Sequence, residues 1–310
     1  MDFLLTFQNV SVLFLLIIVG YIVGKVGIVS PSGQKELSAL VLNVTMPATI
    51  ILAFQLEYTK ARFLTSLKIM AIVGAAYVVM IILSKFLSRF YKVSDNQRDI
   101  IEIAGVLPNT SFIGFPIVLS ILGKEALFFA VLGAGFLFEV VAWTYGAYII
   151  HRSSGQDFSK NLVKDILLSP GILAILIGFG LFITSITIPE PLNTTMELMS
   201  QATSPLAMIV VGILLSRTNI KECVTDLKLY LIALTKLLLF PLGIYFVLNL
   251  LGFRGMELII PVIMMGMPTA AYVAIFSADA GNDANLASQI VFVSSLLSLV
   301  TIPILVMLVT

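Results

Sequence analysis

The chain has 310 residues, 59% of them hydrophobic and 11% charged, with a formal net charge of +1 and a mean hydropathy of +1.08. That composition excludes a soluble globular domain and selects a polytopic membrane protein. A net charge so close to zero gives a nucleic-acid partner no electrostatic footing. The single cysteine, Cys223, cannot form an internal disulfide or a Cys-x-x-Cys metal or redox site, and a histidine-based site has one candidate, His151.

A helix that crosses a bilayer needs about 20 mostly apolar residues. Ten such runs are predicted, at 10–29, 36–55, 65–90, 100–122, 125–150, 164–185, 198–216, 227–251, 257–279 and 286–309. They are continuous apolar stretches, not alternating ten-residue strands, so the fold class is all-α and not a barrel. No basic region precedes the first run, which reads as a span and not as a cleaved leader. The second run holds NVTMPATIILA, with Asn43, Thr45 and Pro47. The fourth holds LPNTSFIGFP, with Pro108, Asn109, Thr110, Ser111, Gly114 and Pro116. In the fifth, Glu139 stands at mid-depth with Trp143 four residues on, on the same face.

The seventh run contains QATSPLAMIVV, with Gln201, Thr203 and Pro205, and the eighth contains Lys236 about ten residues from its start. The ninth contains GMPTAAY, with Pro268, Thr269 and Ala270. Only 151–163 and 185–197 are long enough to count as loops. The stretch Asp279, Asn282, Asp283, Asn285 lacks the spacing of a calcium loop and reads as a solvated turn. Glu102 and Glu125 read as interfacial. Basic residues set the orientation. One side carries twelve: Lys25, Lys35, Lys85, Arg89, Lys92, Arg98, Arg152, Lys160, Lys164, Arg217, Lys221 and Lys228. The other carries five: Lys60, Arg62, Lys68, Lys124 and Arg254. The first side is expected to be cytoplasmic, with both termini on the non-cytoplasmic side.

Three matches recur at nearly one offset. Asn43, Thr45 and Pro47 align with Gln201, Thr203 and Pro205 at 158; Pro108 aligns with Pro268 at 160; GKEAL (123–127) aligns with GNDAN (281–285) at 158. Three matches in order indicate duplication of a five-span unit, 1–155 and 156–310. Five is odd, so the second copy is inverted, an arrangement common among secondary transporters. Pro108 and Pro268 have no N–H and should break their helices. Such a break is tolerated in a membrane only inside protein or beside a water-filled cavity. The repeat would bring the two breaks together. The half-helices that follow would aim their N-termini, rich in free N–H groups, at one place suited to an anion. Asn109, Thr110 and Ser111 would satisfy freed backbone groups and touch the ligand, while Gly114 and Pro116 would shape packing. The alternative is a plain proline bend.

With these residues in view, the chain resembles the auxin efflux carrier family. PNTSF resembles the Asn-Pro-Asn-Thr-type crossover of plant auxin exporters and MPTAAY the second crossover. The span count, the absence of a long central loop and the Asn43…Pro47 motif resemble the short bacterial branch. The resemblance covers essentially the whole chain. It implies a scaffold of spans 1, 2, 6 and 7, a mobile transport domain of spans 3–5 and 8–10, elevator-type motion and a homodimer through the scaffold. It implies a cargo of small carboxylates such as malate or malonate, or of an auxin-like acid such as indole-3-acetate, in a bacterial-type inner membrane. Thr269 departs from the family in having no asparagine beside Pro268, so a paired-asparagine ligand set does not carry over. The sodium–bile-acid symporters share the architecture, but the ninth-span break has no acidic residue of the kind their sodium site would need.

The expected substrate-binding residues are therefore Pro108, Asn109, Thr110, Ser111, Pro268, Thr269 and Ala270, with Asn43 and Gln201 on the path. Interhelical hydrogen bonding is the competing role for the last two. Glu139 is the candidate for coupling to H⁺ or Na⁺, against a purely structural hydrogen bond. Lys236 would attract a carboxylate or pair with Glu139, unless its stem lets the ammonium snorkel to the surface. No cofactor is expected beyond such an ion. No motif pairs a nucleophile with a base and no phosphate-binding loop is present, which argues against an enzyme. Alternatives are a transporter-like sensor that binds without turnover and a Na⁺-coupled symporter of the bile-acid type.

Overall fold

The computed structural model describes residues 3–152, 168–218, 223 and 225–310, without the side chains of residues 3–7, 9 and 10. Most of the predicted loop 151–163, the start of the sixth predicted span, and Lys160, Lys164 and Lys221 lie outside the described residues. The described chain is helical: α1 (Phe3–Val26), α2 (Pro31–Ala53), α3 (Lys60–Ser88), α4 (Asp95–Val106), α5 (110–122), α6 (124–152), α7 (Pro170–Thr184), α8 (Leu192–Ser216), α9 (Leu227–Leu250), α10 (Met256–Met265), α11 (Tyr272–Asp279) and α12 (Ala284–Val309). Six helical runs are long and apolar enough to cross a membrane; 110–152, containing α5 and α6, is one of them. Within it Gly123, at φ +83°, interrupts the helical path. Gly281, its partner in the sequence repeat, also has positive φ, at +66°. Both positions use a conformation that glycine adopts at little cost.

Prolines shape the helices in three places by one device. A proline cannot donate to the carbonyl four residues back, and its ring crowds that carbonyl. Before Pro47, Pro116 and Pro241 the helix widens into a π-turn: Met46 N donates to Val41 O, Phe115 N to Thr110 O, and Phe240 N to Thr235 O. At Pro47 the widened turn spans Val41–Thr45. Pro205, its counterpart in the repeat, instead lies inside the unbroken run of α8.

Helix α1 packs along α8, and α2 packs on both α7 and α8. Backbones touch at the first contact. A Cβ on Gly20 would lie 2.1 Å from Ile209 O, and one on Gly212 would lie 2.0 Å from Ile17 O, so only glycine fits. Thr49 Oγ1 donates to Thr203 Oγ1 at 2.8 Å, joining α2 to α8. The other main contacts join α3 to α4, α6 and α10, and α12 to α9, α11 and α10.

Polar contacts gather at the helix ends. At one end Arg62 pairs with Glu125 and Lys68 with Glu257, both at 2.9 Å. At the other, Gln97 donates to Asp283 at 3.0 Å and Asn282 to the carbonyl of Ile150 at 3.3 Å. The first set belongs to the side read from sequence as poor in basic residues, the second to the rich side. Asp283 also caps α12 through Leu286 N at 3.0 Å, so its carboxylate is a helix cap and not part of a free turn. Glu102, read from sequence as interfacial, is buried among helices. It is only 2% exposed, bonded to the Tyr145 hydroxyl and 3.7 Å from Arg152, which also pairs with buried Asp99. Pairing with Arg152 lets two carboxylates be buried among the helices.

Candidate functional site

Helix α4 stops at Val106 because the residue before a proline is driven to extended geometry, and Leu107 has φ −88° and ψ 105°. Helix α10 stops at Met265, short of Pro268. The two broken segments cross and pair as a short antiparallel bridge. Asn109 N donates to Pro268 O at 2.7 Å, and Ala270 N to Leu107 O at 2.9 Å. The freed backbone groups therefore satisfy each other across the crossing, with side chains completing the pattern. Pro108 has no N–H to return to Ala104 O; the Thr269 hydroxyl donates to that carbonyl at 3.0 Å. Thr269 N in turn donates to Ser294 Oγ at 3.2 Å. On the other strand, Asn109 Oδ1 accepts from Phe112 N at 3.2 Å and caps α5. A Cβ on Gly114 would meet Met264 at 3.1 Å, so this glycine serves the close approach of α5 to α10.

Beside the bridge lies a cavity of about 520 Å³. Ser111, in the first turn of α5, and Tyr272, the first residue of α11, both line it. The half-helices that follow the two breaks thus reach one space. Asn43 and Met46 of α2 and Ser169 and Gly171 at the start of α7 form the facing wall. Glu139 and Trp143 of α6 close it. Glu139 is 7% exposed; its Oε2 accepts from Trp143 Nε1 at 3.1 Å. Its Oε1 faces the first turn of α7, where a Cβ on Gly171 would lie 3.5 Å away. The partial positive charge of that helix start suits a carboxylate. Among the described residues no lysine or arginine lines the cavity.

The sequence-predicted residues separate into groups. Asn43, Ser111 and Glu139 share the cavity. Asn43 is exposed there, its amide donating to Ala39 O at 2.8 Å. Pro108, Asn109, Pro268, Thr269 and Ala270 are buried in the crossing behind it. Thr110 is also fully buried, with its hydroxyl unpartnered among the described residues. Gln201 is elsewhere, exposed on a separate hollow of about 160 Å³ with Lys124 and Glu197. Lys236 does not snorkel: it is 0% exposed, and its Nζ has no hydrogen-bond partner among the described residues. Tyr272, Phe115 and the start of α7 were not singled out from sequence, since nothing local marks an aromatic or a helix start as facing a cavity. The structural role of Thr269 had a signal, the proline 161 positions earlier in the aligned repeat, but needed the crossing to be read.

Residues 5–306 match the family described as membrane transport protein. An uncharacterized transporter of Methanocaldococcus jannaschii is 26% identical over 302 residues, covering 94% of this chain and 95% of that protein. A protein of Rhizobium meliloti, described as a candidate malonate transporter, is 24% identical over 303 residues, covering 93% and 91%. The uncharacterized transporter YfdV of Escherichia coli is 24% identical over 242 residues, covering 73% and 75%.

Proposed function

We propose that this chain, which belongs to the membrane transport protein family of the auxin efflux carriers, is a secondary carrier of a small organic anion, with its substrate site in the cavity beside the crossing. The observation that carries this reading is the meeting of Ser111 and Tyr272 on one cavity, at the N-terminal ends of the two half-helices. Helix starts offer N–H groups and partial positive charge to an anion. With no basic side chain on the wall among the described residues, they are the cavity's means of holding a carboxylate. Malonate is the first candidate because one relative is described by it; malate and auxin-like acids follow.

In this reading the sequence is two inverted five-span repeats whose fourth and ninth spans are the broken pairs α4–α5 and α10–α11. The positive-φ glycines at 123 and 281 and the bridged prolines at 108 and 268 support the duplication. Helices α1, α2, α7 and α8 form the scaffold, through which two copies would dimerise. The remaining helices form the unit that moves as an elevator. The facing walls of the cavity come one from each group, as a site that changes sides requires. The membrane is a bacterial-type inner membrane, with the basic-rich side cytoplasmic. Glu139 is the coupling group. A carboxylate beside an anionic substrate repels it, and a bound H⁺, or Na⁺, removes the repulsion.

Proteoliposomes loaded with the purified protein test this. Uptake of radiolabelled malonate, malate and indole-3-acetate should saturate for at least one of them. Asn109→Ala uncaps α5 and should abolish that uptake while detergent stability survives. Trp143, the only tryptophan, stands on the cavity wall, so the same acid should change its fluorescence. Glu139→Gln should flatten the pH dependence of uptake. Normal transport by Asn109→Ala would remove the site assignment, and an unchanged pH profile in Glu139→Gln would remove Glu139 from coupling.

A further inference from the structure

A second cavity, also about 520 Å³, lies away from the crossing, where the C-terminal end of α3 meets α4 and the start of α9. Its lining is mostly apolar, with hydroxyl-bearing side chains at Ser84, Ser88, Tyr91 and Thr235. Ser84 lines it, 5% exposed, with a hydroxyl that has no hydrogen-bond partner among the described residues. That oxygen faces Gly105 of α4, where a Cβ would come within 2.3 Å of it. A buried hydroxyl left unpaired is costly and marks a place where a ligand or water completes the bonding. Tyr91, on the same wall, is held above its ordinary range by burial, so its phenol stays protonated and able to donate.

Two exposed lysines, Lys92 after α3 and Lys228 in the first turn of α9, stand at the mouth. Among the described residues neither forms an ion pair and no acidic side chain lines the cavity. The outer wall is apolar and uncovered: Phe90 is 69% exposed and Leu231 49%, and Phe86, 54% exposed, packs edge-on against Phe90 at 5.0 Å. The mouth lies on the side that carries Lys85, Arg89 and Arg98 as well.

Hydroxyl donors inside, two cations at the mouth and a bare apolar wall running toward the hydrocarbon together fit one chemistry, an anionic headgroup carrying acyl chains. We propose that this cavity binds an anionic phospholipid of the cytoplasmic leaflet. Its phosphodiester would sit between Lys92 and Lys228, the Ser84 hydroxyl would donate to it, and its acyl chains would lie along Phe86, Phe90 and Leu231. A soluble phosphate would share the first two contacts but has no use for the third. Basic side chains next to an anionic headgroup are each worth about fivefold in binding. The proposal does not depend on the transport reading, since none of these residues lines the substrate cavity.

The test titrates the full-length protein in a neutral maltoside detergent with dioleoyl phosphatidylglycerol, dioleoyl phosphatidylcholine or inorganic phosphate, and follows retained lipid by native mass spectrometry and unfolding temperature. Phosphatidylglycerol should bind and raise the unfolding temperature, and the other two should not. Lys92→Gln/Lys228→Gln should weaken phosphatidylglycerol binding about 25-fold. Lys25→Gln/Lys35→Gln, which removes two charges from the same side but away from the cavity, should leave it unchanged. Ser84→Ala should weaken it without altering the preference for phosphatidylglycerol over phosphatidylcholine. Equal binding of phosphatidylcholine, an equal loss in the Lys25/Lys35 control, or the same stabilisation by inorganic phosphate alone would each overturn the proposal; the last would make the site one for a free anion.

Discussion

Replacing Thr269 by valine removes one hydroxyl and keeps the shape. That hydroxyl is the donor to Ala104 O at 3.0 Å, the carbonyl that Pro108 leaves without its usual helical partner. Thr269 is 0% exposed, as is Ala104, so no bulk water reaches the carbonyl to replace the bond. Leaving a buried acceptor unsatisfied costs about 1–3 kcal/mol in proteins generally. Side-chain hydrogen bonds between membrane helices average about 0.6 kcal/mol and reach about 1.7. The crossing is dry and the carbonyl belongs to the backbone, so the upper part of the membrane range applies and the expected loss is about 1.5 kcal/mol. Unfolding titrated with dodecyl sulfate, followed through Trp143, measures it as a shift in the free energy of unfolding. Thr269→Ser keeps the hydroxyl and should recover most of the loss, less the lost methyl group. A valine variant as stable as wild type, or a serine variant no better than valine, would refute the claim that this hydroxyl repairs the break.

Three further substitutions probe packing and burial. Gly212→Ala puts a methyl group where α1 backbone already lies 2.0 Å away; it should destabilise by about 1–3 kcal/mol, while Gly180→Ala, with nothing within 4 Å, should be neutral or stabilising by up to about 1 kcal/mol, and equal effects in dodecyl sulfate unfolding would contradict the close helix contact. Lys236→Met should raise stability by about 2 kcal/mol, because a lysine at mid-membrane depth is costly and this one has no partner among the described residues; a loss of comparable size would mean that its ammonium is satisfied in the folded protein.

Much of the fold was legible because lipid restricts what a chain can do. Long apolar runs can only be helices there, and the described residues are helical through most of the predicted runs, with six of the helical stretches long and apolar enough to cross a membrane. The prolines were legible for the same reason: a missing N–H has the same consequence in any helix, so Pro108 and Pro268 could be read as breaks before their partners were known. Sequence could not tell one proline outcome from another. Pro47, Pro116 and Pro241 widen the helix into π-turns and Pro205 leaves its helix unbroken, because the outcome depends on what packs against the crowded carbonyl. Gln201 was paired with Asn43 by the repeat, yet only Asn43 reaches the cavity. Positions matched by the sequence repeat need not share a neighbourhood.

The two intramembrane charges show where sequence reading stops. Glu139 and Lys236 each stood alone in an apolar run, and an ion pair between them was one natural reading. The structure gives them separate environments. Glu139 takes the indole N–H of Trp143 and faces the start of α7 on the cavity wall. Lys236 is buried within the π-turn of α9 and lines neither cavity. A carboxylate that already has a donor and a helix start can gain or lose a proton at the place where an anion would arrive. A buried lysine that lines neither cavity, with no partner among the described residues, does not meet a substrate there. Position is thus what separates the two residues in the proposed mechanism, which gives coupling to Glu139, although composition and depth marked them alike.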